Sequence, residues 1–268
     1  MNSLPVRRAT LFRVTETRNG SGYYHYFSFG LESYISRLLL RIREEVFQIF
    51  VGTFRPSPSQ TILDIGVSAD DHPSSNHLEK RYPVTKRICG LSPEHLPALR
   101  AQFPDMALLQ GDARALPFAD ESFDFVYSHA VIEHVGSRVQ QARFLAEALR
   151  AARHGVLITT PNRWHPMETH TGLPLLHFLP APLYRSVYRL LGKGMYASEE
   201  TLNLMGASRL LSMTEELKPN GASVTLHQVR WLGFASNLVV AVQKSSGSMC
   251  EPPAAQPLAI GVTPSRKN

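Results

Sequence analysis

The chain has 268 residues, 43% of them hydrophobic and 19% charged, which is enough to bury one sizeable α/β core. Its net charge of +6 favours anionic partners, but no dense block of Lys and Arg with interleaved aromatics occurs, which argues against nucleic-acid binding. Two cysteines in unrelated contexts argue against a disulfide framework. No apolar run has the length of a membrane span and no signal-peptide pattern is present, so the sequence predicts a cytoplasmic protein.

Composition divides the chain into three parts. Residues 1–29 have no clear period and are predicted to be partly ordered, whereas residues 245–268 are rich in Pro, Ser and Ala, as is typical of a disordered tail. Residues 30–244 are predicted to form the folded domain. Within it, apolar side chains at helical spacing over residues 31–50 predict an amphipathic helix before the first strand.

Strand-like and helical patterns alternate from residue 61 to residue 160. This alternation predicts a parallel sheet built from right-handed crossovers, with helices on both faces. Two later apolar runs are spaced as an antiparallel pair at the sheet edge. The sequence therefore predicts an α/β fold with a Rossmann-like, seven-stranded, mostly parallel sheet and an antiparallel final strand pair. The predicted strands are 61–66, 87–91, 106–110, 123–129, 155–160, 222–230 and 237–243, and the predicted helices are 75–81, 93–102, 137–152 and 182–191.

The turn after the first strand departs from the usual glycine-rich loop. Asp64 and Gly66 stand where such a loop begins, but no further glycine follows before the next helix. Glycines at this turn let the backbone approach a pyrophosphate, and Asp70 and Asp71 would repel one. The sequence therefore disfavours NAD and FAD and favours a cofactor without phosphates.

Three stretches of the alternating region resemble one enzyme family. They are TILDIG from residue 61, LQGDARALPFADESFDFVYSHAVIEHV from residue 109 and HGVLITTPN from residue 154. Over about residues 61–163 the chain resembles the class I S-adenosylmethionine-dependent methyltransferases of type 11, a group that includes quinone and small-molecule methyltransferases. The resemblance implies an enzyme that transfers a methyl group from S-adenosyl-L-methionine.

The resemblance places this cofactor across the carboxyl ends of the first four strands. The first strand would hold the methionine portion, the third would reach the adenine and the fourth would lie under the sulfonium. The acid that the family uses for the ribose is missing after the second strand, and Glu94 is its candidate replacement. The residues predicted to bind the cofactor are Asp64, Gly66, Ser68, Glu94, Asp112, Ala113, Ser128 and His129.

The longer loop that follows Gly66 is predicted to retain the cofactor by other contacts. Asn76 is expected to cap the next helix with Glu79 as its reciprocal partner, while the hydroxyls of Ser74 and Ser75 replace lost backbone contacts. The alternative is a degenerate loop on a non-catalytic binding protein, which would use residues 160–200 as an interaction surface.

Residues 161–206 are predicted to form an insertion on the acceptor side of the sheet. Asn162, Arg163 and Glu168 are polar groups set among apolar side chains, and this mixture predicts that they bind the substrate. The substrate is expected to be a small-molecule, glycan or lipid-linked acceptor.

His134 and His170 are the predicted catalytic residues. Transfer to a hydroxyl benefits from a general base, and histidine acts as one near neutral pH. The sequence therefore predicts methylation on oxygen.

Two further interpretations concern the same insertion. A metal site is not predicted, because Pro166 interrupts the helix that would align the candidate ligands. A cationic amphipathic helix, with Leu183 and Leu190 on its apolar face, gives residues 171–194 a possible contact with a membrane surface, although an ordinary core helix has the same pattern. The candidate metal ligands considered are His165, Glu168, His170 and His177.

Overall fold

The computed structural model describes residues 32–70 and 72–245. The predictions for residues 1–29, for Asp71 and for the tail from residue 246 lie outside the described residues. The strands are β1 (Ile62–Ile65), β2 (Ile88–Ser92), β3 (Ala107–Gln110), β4 (Phe123–His129), β5 (Ala152–Pro161), β6 (Ser223–Trp231) and β7 (Phe234–Gln243). The α-helices are α1 (Glu32–Phe54), α2 (His77–Arg81), α3 (Pro97–Gln102), α4 (Arg138–Ala151), α5 (Ala181–Leu190) and α6 (Ala207–Leu217).

The seven strands form one sheet in the order β3-β2-β1-β4-β5-β7-β6. Strands β1 to β5 pair in parallel, and β7 runs antiparallel between β5 and β6. The predicted fold class is therefore confirmed, including the final strand pair. The strand order reverses between β1 and β4, and ligands of open α/β sheets bind outside the carboxyl ends of the strands at this switch point.

Two apolar layers cover the sheet, one on each face. All four residues of β1 are buried, as expected of a central parallel strand with both faces covered. Helices α1, α2 and α3 pack on one face through residues such as Phe47, Leu78 and Leu99. Helices α4 and α6 pack on the other through residues such as Phe144 and Leu210.

Helix α4 begins as predicted, whereas α6 was not predicted. The Ser137 hydroxyl caps α4 by accepting a hydrogen bond from the Gln140 amide at 3.4 Å. Helix α6 follows the proline-rich insertion and buries Leu210 and Met213 against the sheet. The helical spacing of its apolar residues was not recognised in the sequence, because the stripe is short and lies next to a loop-rich region.

Helix α5 lies where a helix was predicted, and its leucine face is exposed. Its buried side chains are Tyr184 and Tyr188, whereas Leu183 is 56% exposed and Leu190 is 85% exposed. Tyr184 and Tyr188 pack in a satellite cluster with Leu202, away from the sheet. Among the residues described, no helix combines the length and the apolar character needed to cross a membrane.

Candidate functional site

The turn after β1 can be formed only with glycine at position 66. Gly66 has φ +106°, and a Cβ placed there would lie 2.2 Å from Cγ2 of Val131. The Gly66 amide donates to the Leu91 carbonyl at 2.8 Å, which fixes the turn against β2. Gly66 is exposed at the switch point, and its contact with the cofactor stays a prediction.

The predicted capping by Asn76 is wrong. Asn76 has φ +48° and its side chain makes no cap hydrogen bond. Its Oδ1 accepts from the Ser68 amide at 3.0 Å, and its Nδ2 donates to the Ser68 carbonyl at 2.9 Å. The side chain therefore closes the loop onto Ser68.

The hydroxyls of Ser74 and Ser75 also hold the loop itself. Ser75 donates to Oδ2 of Asp70 at 2.8 Å, and the Ser74 hydroxyl lies 2.8 Å from Nδ1 of His72. Both serines are buried. The prediction that they replace lost cofactor contacts is therefore not supported by their hydrogen bonds, which stabilise the loop.

Asp64 lies beneath the turn beside a second buried acid. Asp64 is 7% exposed and Glu79 only 2%. Burial, together with the nearby Glu79 carboxyl, raises the pKa of Asp64 well above its usual range, and burial also raises the pKa of Glu79. The predicted partnership of Glu79 with Asn76 is thus replaced by one with Asp64. Contact of Asp64 with the cofactor stays a prediction.

The acids predicted to reach the adenine and the ribose, Asp112 and Glu94, are both exposed. Asp112 is held by Arg114, whose guanidinium group lies 2.8 Å from Oδ2 of Asp112. Burial alone would raise the pKa of Asp112, but hydrogen bonds from Arg114 lower it below its usual value. Ala113 is half-buried, and Glu94 is exposed with its amide donating to the Ser92 hydroxyl at 3.2 Å.

The two residues at the end of β4 differ in how much they are buried. Ser128 is fully buried, and its hydroxyl donates to the Ile65 carbonyl at 2.8 Å, joining β4 to β1. His129 is half-buried, and burial lowers its pKa well below the usual value, so its ring is neutral. Cofactor binding by these two residues stays a prediction.

The two predicted catalytic histidines lie together although 35 residues separate them in sequence. Nε2 of His134 is 3.1 Å from Nε2 of His170, and the two rings are nearly perpendicular. His134 belongs to the 3₁₀ turn Ile132–His134 that follows β4, while His170 lies in the insertion after β5. The carboxyl ends of two adjacent strands thus bring the pair together. Their catalytic role stays a prediction.

Glu168 fixes the orientation of His170. Oε1 of Glu168 accepts from Nδ1 of His170 at 2.8 Å, and the amides of His170 and Thr171 also donate to this carboxylate. Burial alone would raise the pKa of Glu168, but His170 brings it down to about 2. Burial alone would lower the pKa of His170, but Glu168 raises it above its usual value. Glu168 therefore contacts a predicted catalytic residue, and substrate binding by Glu168 is untested.

Glu133 is a member of this cluster that the sequence reasoning missed. It is fully buried, and its Oε1 lies 4.0 Å from Nε2 of His134 and 3.9 Å from Nε2 of His170. Burial raises the pKa of Glu133 to about 7, whereas burial and His170 lower the pKa of His134 to about 4. The signal was an acid next to His134 in the IEH sequence. The sequence did not show that the Glu133 side chain points toward His134, because the side chains of adjacent residues in a tight turn point in different directions.

Asn162 and Arg163, predicted to bind the substrate, form the base of the insertion. The Asn162 side chain donates to the Ala235 carbonyl at 2.9 Å and accepts from the Trp164 amide at 3.1 Å. The Arg163 guanidinium lies 5.7 Å from the ring centroids of both Trp164 and Tyr184. These contacts order the insertion, and substrate binding by either residue stays a prediction.

Comparison with solved structures gives the same fold. A 1,6-didemethyltoxoflavin-N1-methyltransferase of Burkholderia thailandensis, solved with S-adenosylhomocysteine, superposes with a TM-score of 0.50 at 13% identity, covering 81% of this chain and 83% of that one. The PH0226 protein of Pyrococcus horikoshii superposes with a TM-score of 0.51 at 12% identity, covering 82% and 95% of the two chains. The molecule therefore has the Rossmann-like fold of these proteins.

Sequence comparison identifies the family of the central region. The family described as methyltransferase domain matches residues 63–159. A "Probable S-adenosylmethionine-dependent methyltransferase" of Mycolicibacterium smegmatis is 36% identical over 30% of this chain and 32% of its own length. A demethylmenaquinone methyltransferase of Beutenbergia cavernae is 29% identical over 66% of this chain and 67% of its own length. Residues 63–159 thus match the methyltransferase domain family, and the chain spans about a third of the length of the first of these relatives.

Proposed function

We propose that the protein transfers a methyl group from S-adenosylmethionine to oxygen on a small-molecule, glycan or lipid-linked acceptor. The observation that carries the proposal is the methyltransferase domain at residues 63–159, with its switch-point turn open at Gly66 and four titratable side chains clustered beside it. These four are Glu133, His134, Glu168 and His170.

The residues at the crevice fit a cofactor without phosphates. Gly66 is exposed at the switch point, and Asp112 presents an exposed carboxylate that can accept a hydrogen bond from an exocyclic amine. Glu94 is the exposed acid nearest in sequence to the end of β2. When bound, S-adenosylmethionine supplies an electrophilic methyl group on a positively charged sulfur.

The histidine cluster favours oxygen as the acceptor atom. A hydroxyl loses its proton on methylation, and a positioned group that receives this proton or stabilises the resulting charge accelerates the step. Glu168 holds His170 in place, and His170 in turn contacts His134, whose side chain is 25% exposed. The cluster thus offers a pre-oriented polar group on the acceptor side.

Binding of the cofactor tests this proposal first. S-adenosylmethionine and S-adenosylhomocysteine would be titrated calorimetrically into wild-type protein, Asp112→Asn, and Asp105→Asn as an exposed control. A hydrogen bond to a charged group is worth about 1.5–3 kcal/mol, so Asp112→Asn should weaken binding about 10- to 150-fold. No binding to well-folded wild-type protein would instead support the alternative, a non-catalytic binding protein.

The hydrogen bonds that close the loop onto itself, from Ser75 to Asp70 and between Asn76 and Ser68, favour that alternative.

We further infer that the acceptor-side insertion contacts an anionic membrane surface through residues 171–194. Large apolar side chains on and near α5 are exposed, and no Asp or Glu occurs from residue 169 to residue 198, whereas three basic residues do. An exposed apolar face bordered by cations matches a lipid surface with anionic headgroups. The side chains concerned are Leu175, Leu183, Leu190 and Leu191, with Arg185, Arg189 and Lys193.

A further inference from the structure

The two clustered histidines face each other through the same ring atom. Nδ1 of His134 lies 2.7 Å from the Thr201 carbonyl oxygen, and Nδ1 of His170 lies 2.8 Å from the Glu168 carboxylate. Both oxygens are acceptors, so in each neutral ring the proton is on Nδ1. The two Nε2 atoms, 3.1 Å apart, then present lone pairs to each other. A positive group is needed between them.

Glu133 indicates which positive group this is. Its Oε2 accepts from the Thr160 hydroxyl at 3.0 Å, but its Oε1 is buried without a hydrogen-bond partner and faces both Nε2 atoms. Leaving a buried acceptor unsatisfied costs about 1–3 kcal/mol. A proton shared by the histidines would leave Oε1 unsatisfied, whereas a metal ion would bind all three atoms.

The distances are close to those of a tetrahedral ion. Ligand atoms at 2.0–2.1 Å from zinc lie about 3.3–3.4 Å apart, and the three separations here are 3.1, 3.9 and 4.0 Å. We propose that Glu133, His134 and His170 bind a divalent first-row metal ion such as Zn²⁺. Glu168 and the Thr201 carbonyl orient the two imidazoles, as the outer partners of metal-bound histidines commonly do.

The site leaves room for a further ligand on the acceptor side. A cavity of about 100 Å³ adjoins His134 and is also lined by Met195, Tyr196, Glu200 and Thr201. Two histidines and one carboxylate with an open position are the donor set of catalytic zinc sites. With the ion bound, the histidines act on an acceptor oxygen through the metal and not as bases. Cation binding does not itself depend on methyl transfer.

Metal binding by untagged protein tests the proposal. Protein stripped with a chelator would be titrated with Co²⁺, whose visible absorption reports four-coordinate geometry, and then competed with Zn²⁺. We expect one bound ion per chain and displacement of cobalt by zinc. Glu133→Gln and His170→Ala should each weaken binding about 100-fold or more, and Glu168→Gln about 10- to 100-fold. His154→Asn, which alters another histidine near a carboxylate, is the control and should bind as wild type does.

Two results would overturn the proposal. One is the absence of cobalt absorption in folded wild-type protein, with both ring nitrogens of His170 protonated in ¹⁵N NMR spectra. The other is undiminished metal binding by Glu133→Gln and His170→Ala, both checked for folding by circular dichroism. The titration with S-adenosylmethionine is a separate measurement, so the metal site and the proposed methyl transfer can each fail while the other stands.

Discussion

At the scale of single residues, Asp64 and Glu79 form an acidic pair buried on the α1 side of the sheet. Burial raises both pKa values, and the Glu79 carboxyl raises that of Asp64 further. The folded state therefore binds protons that the unfolded chain releases above pH about 4. It follows that the contribution of this pair to stability decreases as pH rises from about 4 through the folded-state pKa values.

Glu79→Gln should reduce this pH dependence. The substitution removes one titrating acid and the like charge beside Asp64, so the free energy of unfolding should fall less between pH 4 and pH 7 than in wild-type protein. Urea unfolding at a series of pH values measures the difference, at about 1.4 kcal/mol for each unit of pKa shift removed. Glu216→Gln, an exposed glutamate on α6, controls for net charge. Parallel curves for wild type and Glu79→Gln would contradict the prediction.

The sequence indicated candidate site residues, but it did not predict which side chains surround them. Gly66, His134 and His170 were predicted from their places after β1, after β4 and in the insertion. The neighbours of Glu79 could not be predicted, because they depend on how the short helix α2 packs beneath the first turn. Glu133 was missed for the same reason, since its direction is set by packing between elements.

At the scale of elements, the turn after β1 meets the turn after β4. A Cβ at Gly66 would overlap Cγ2 of Val131, so these two turns touch without space between them. Gly66→Ala should destabilise the protein by about 1–3 kcal/mol through overpacking, in addition to the strain of a positive φ. Chemical denaturation would measure this loss.

A second substitution, at Val131, separates the two causes of the stability loss in Gly66→Ala, which are steric overlap and backbone strain. Val131→Ala removes the clashing methyl group, so the double variant should lose less stability than the sum of the two single variants. Additive losses would mean that backbone strain alone accounts for the cost of Gly66→Ala, and that the two turns do not press on each other.

Most strands and helices could be predicted from the sequence. Their side chains pack in the core of the sheet, and this packing gives each element a periodic apolar pattern. All seven strands and five of the six α-helices described here lie where the sequence placed them. The sequence left open which face of α5 is buried, because apolar spacing does not distinguish a buried stripe from an exposed one. Tyr184 and Tyr188 pack against a local cluster, which leaves Leu183 and Leu190 in solvent.

At the scale of the whole molecule, charge and apolar surface coincide on the acceptor-side insertion. The chain has a net charge of +6, and residues 169–198 contain basic but no acidic side chains. The exposed apolar side chains of this segment could not be predicted from its amphipathic pattern alone. Under the proposed membrane contact, two attractions would act on the insertion, one from burial of these apolar side chains and one from charge.

Partitioning onto lipid vesicles tests this surface. Wild-type protein should sediment with phosphatidylglycerol-containing vesicles and less with neutral phosphatidylcholine ones, and high salt should weaken the binding because each basic residue contributes about 1 kcal/mol. Leu190→Glu should reduce partitioning about 10-fold or more, since burying a leucine contributes about 1.5–3 kcal/mol. Its stability should hardly change, because Leu190 is 85% exposed.

Val139→Glu is the matched control for this measurement. Val139 is 62% exposed but lies on α4, outside the insertion, so the same change of an apolar side chain to an acid should leave partitioning as in wild type. Equal losses in the two variants would show that net charge alone governs binding. Undiminished partitioning of Leu190→Glu, or none by wild-type protein, would exclude a membrane contact through α5, and a water-soluble acceptor would then fit the site better than a lipid-linked one.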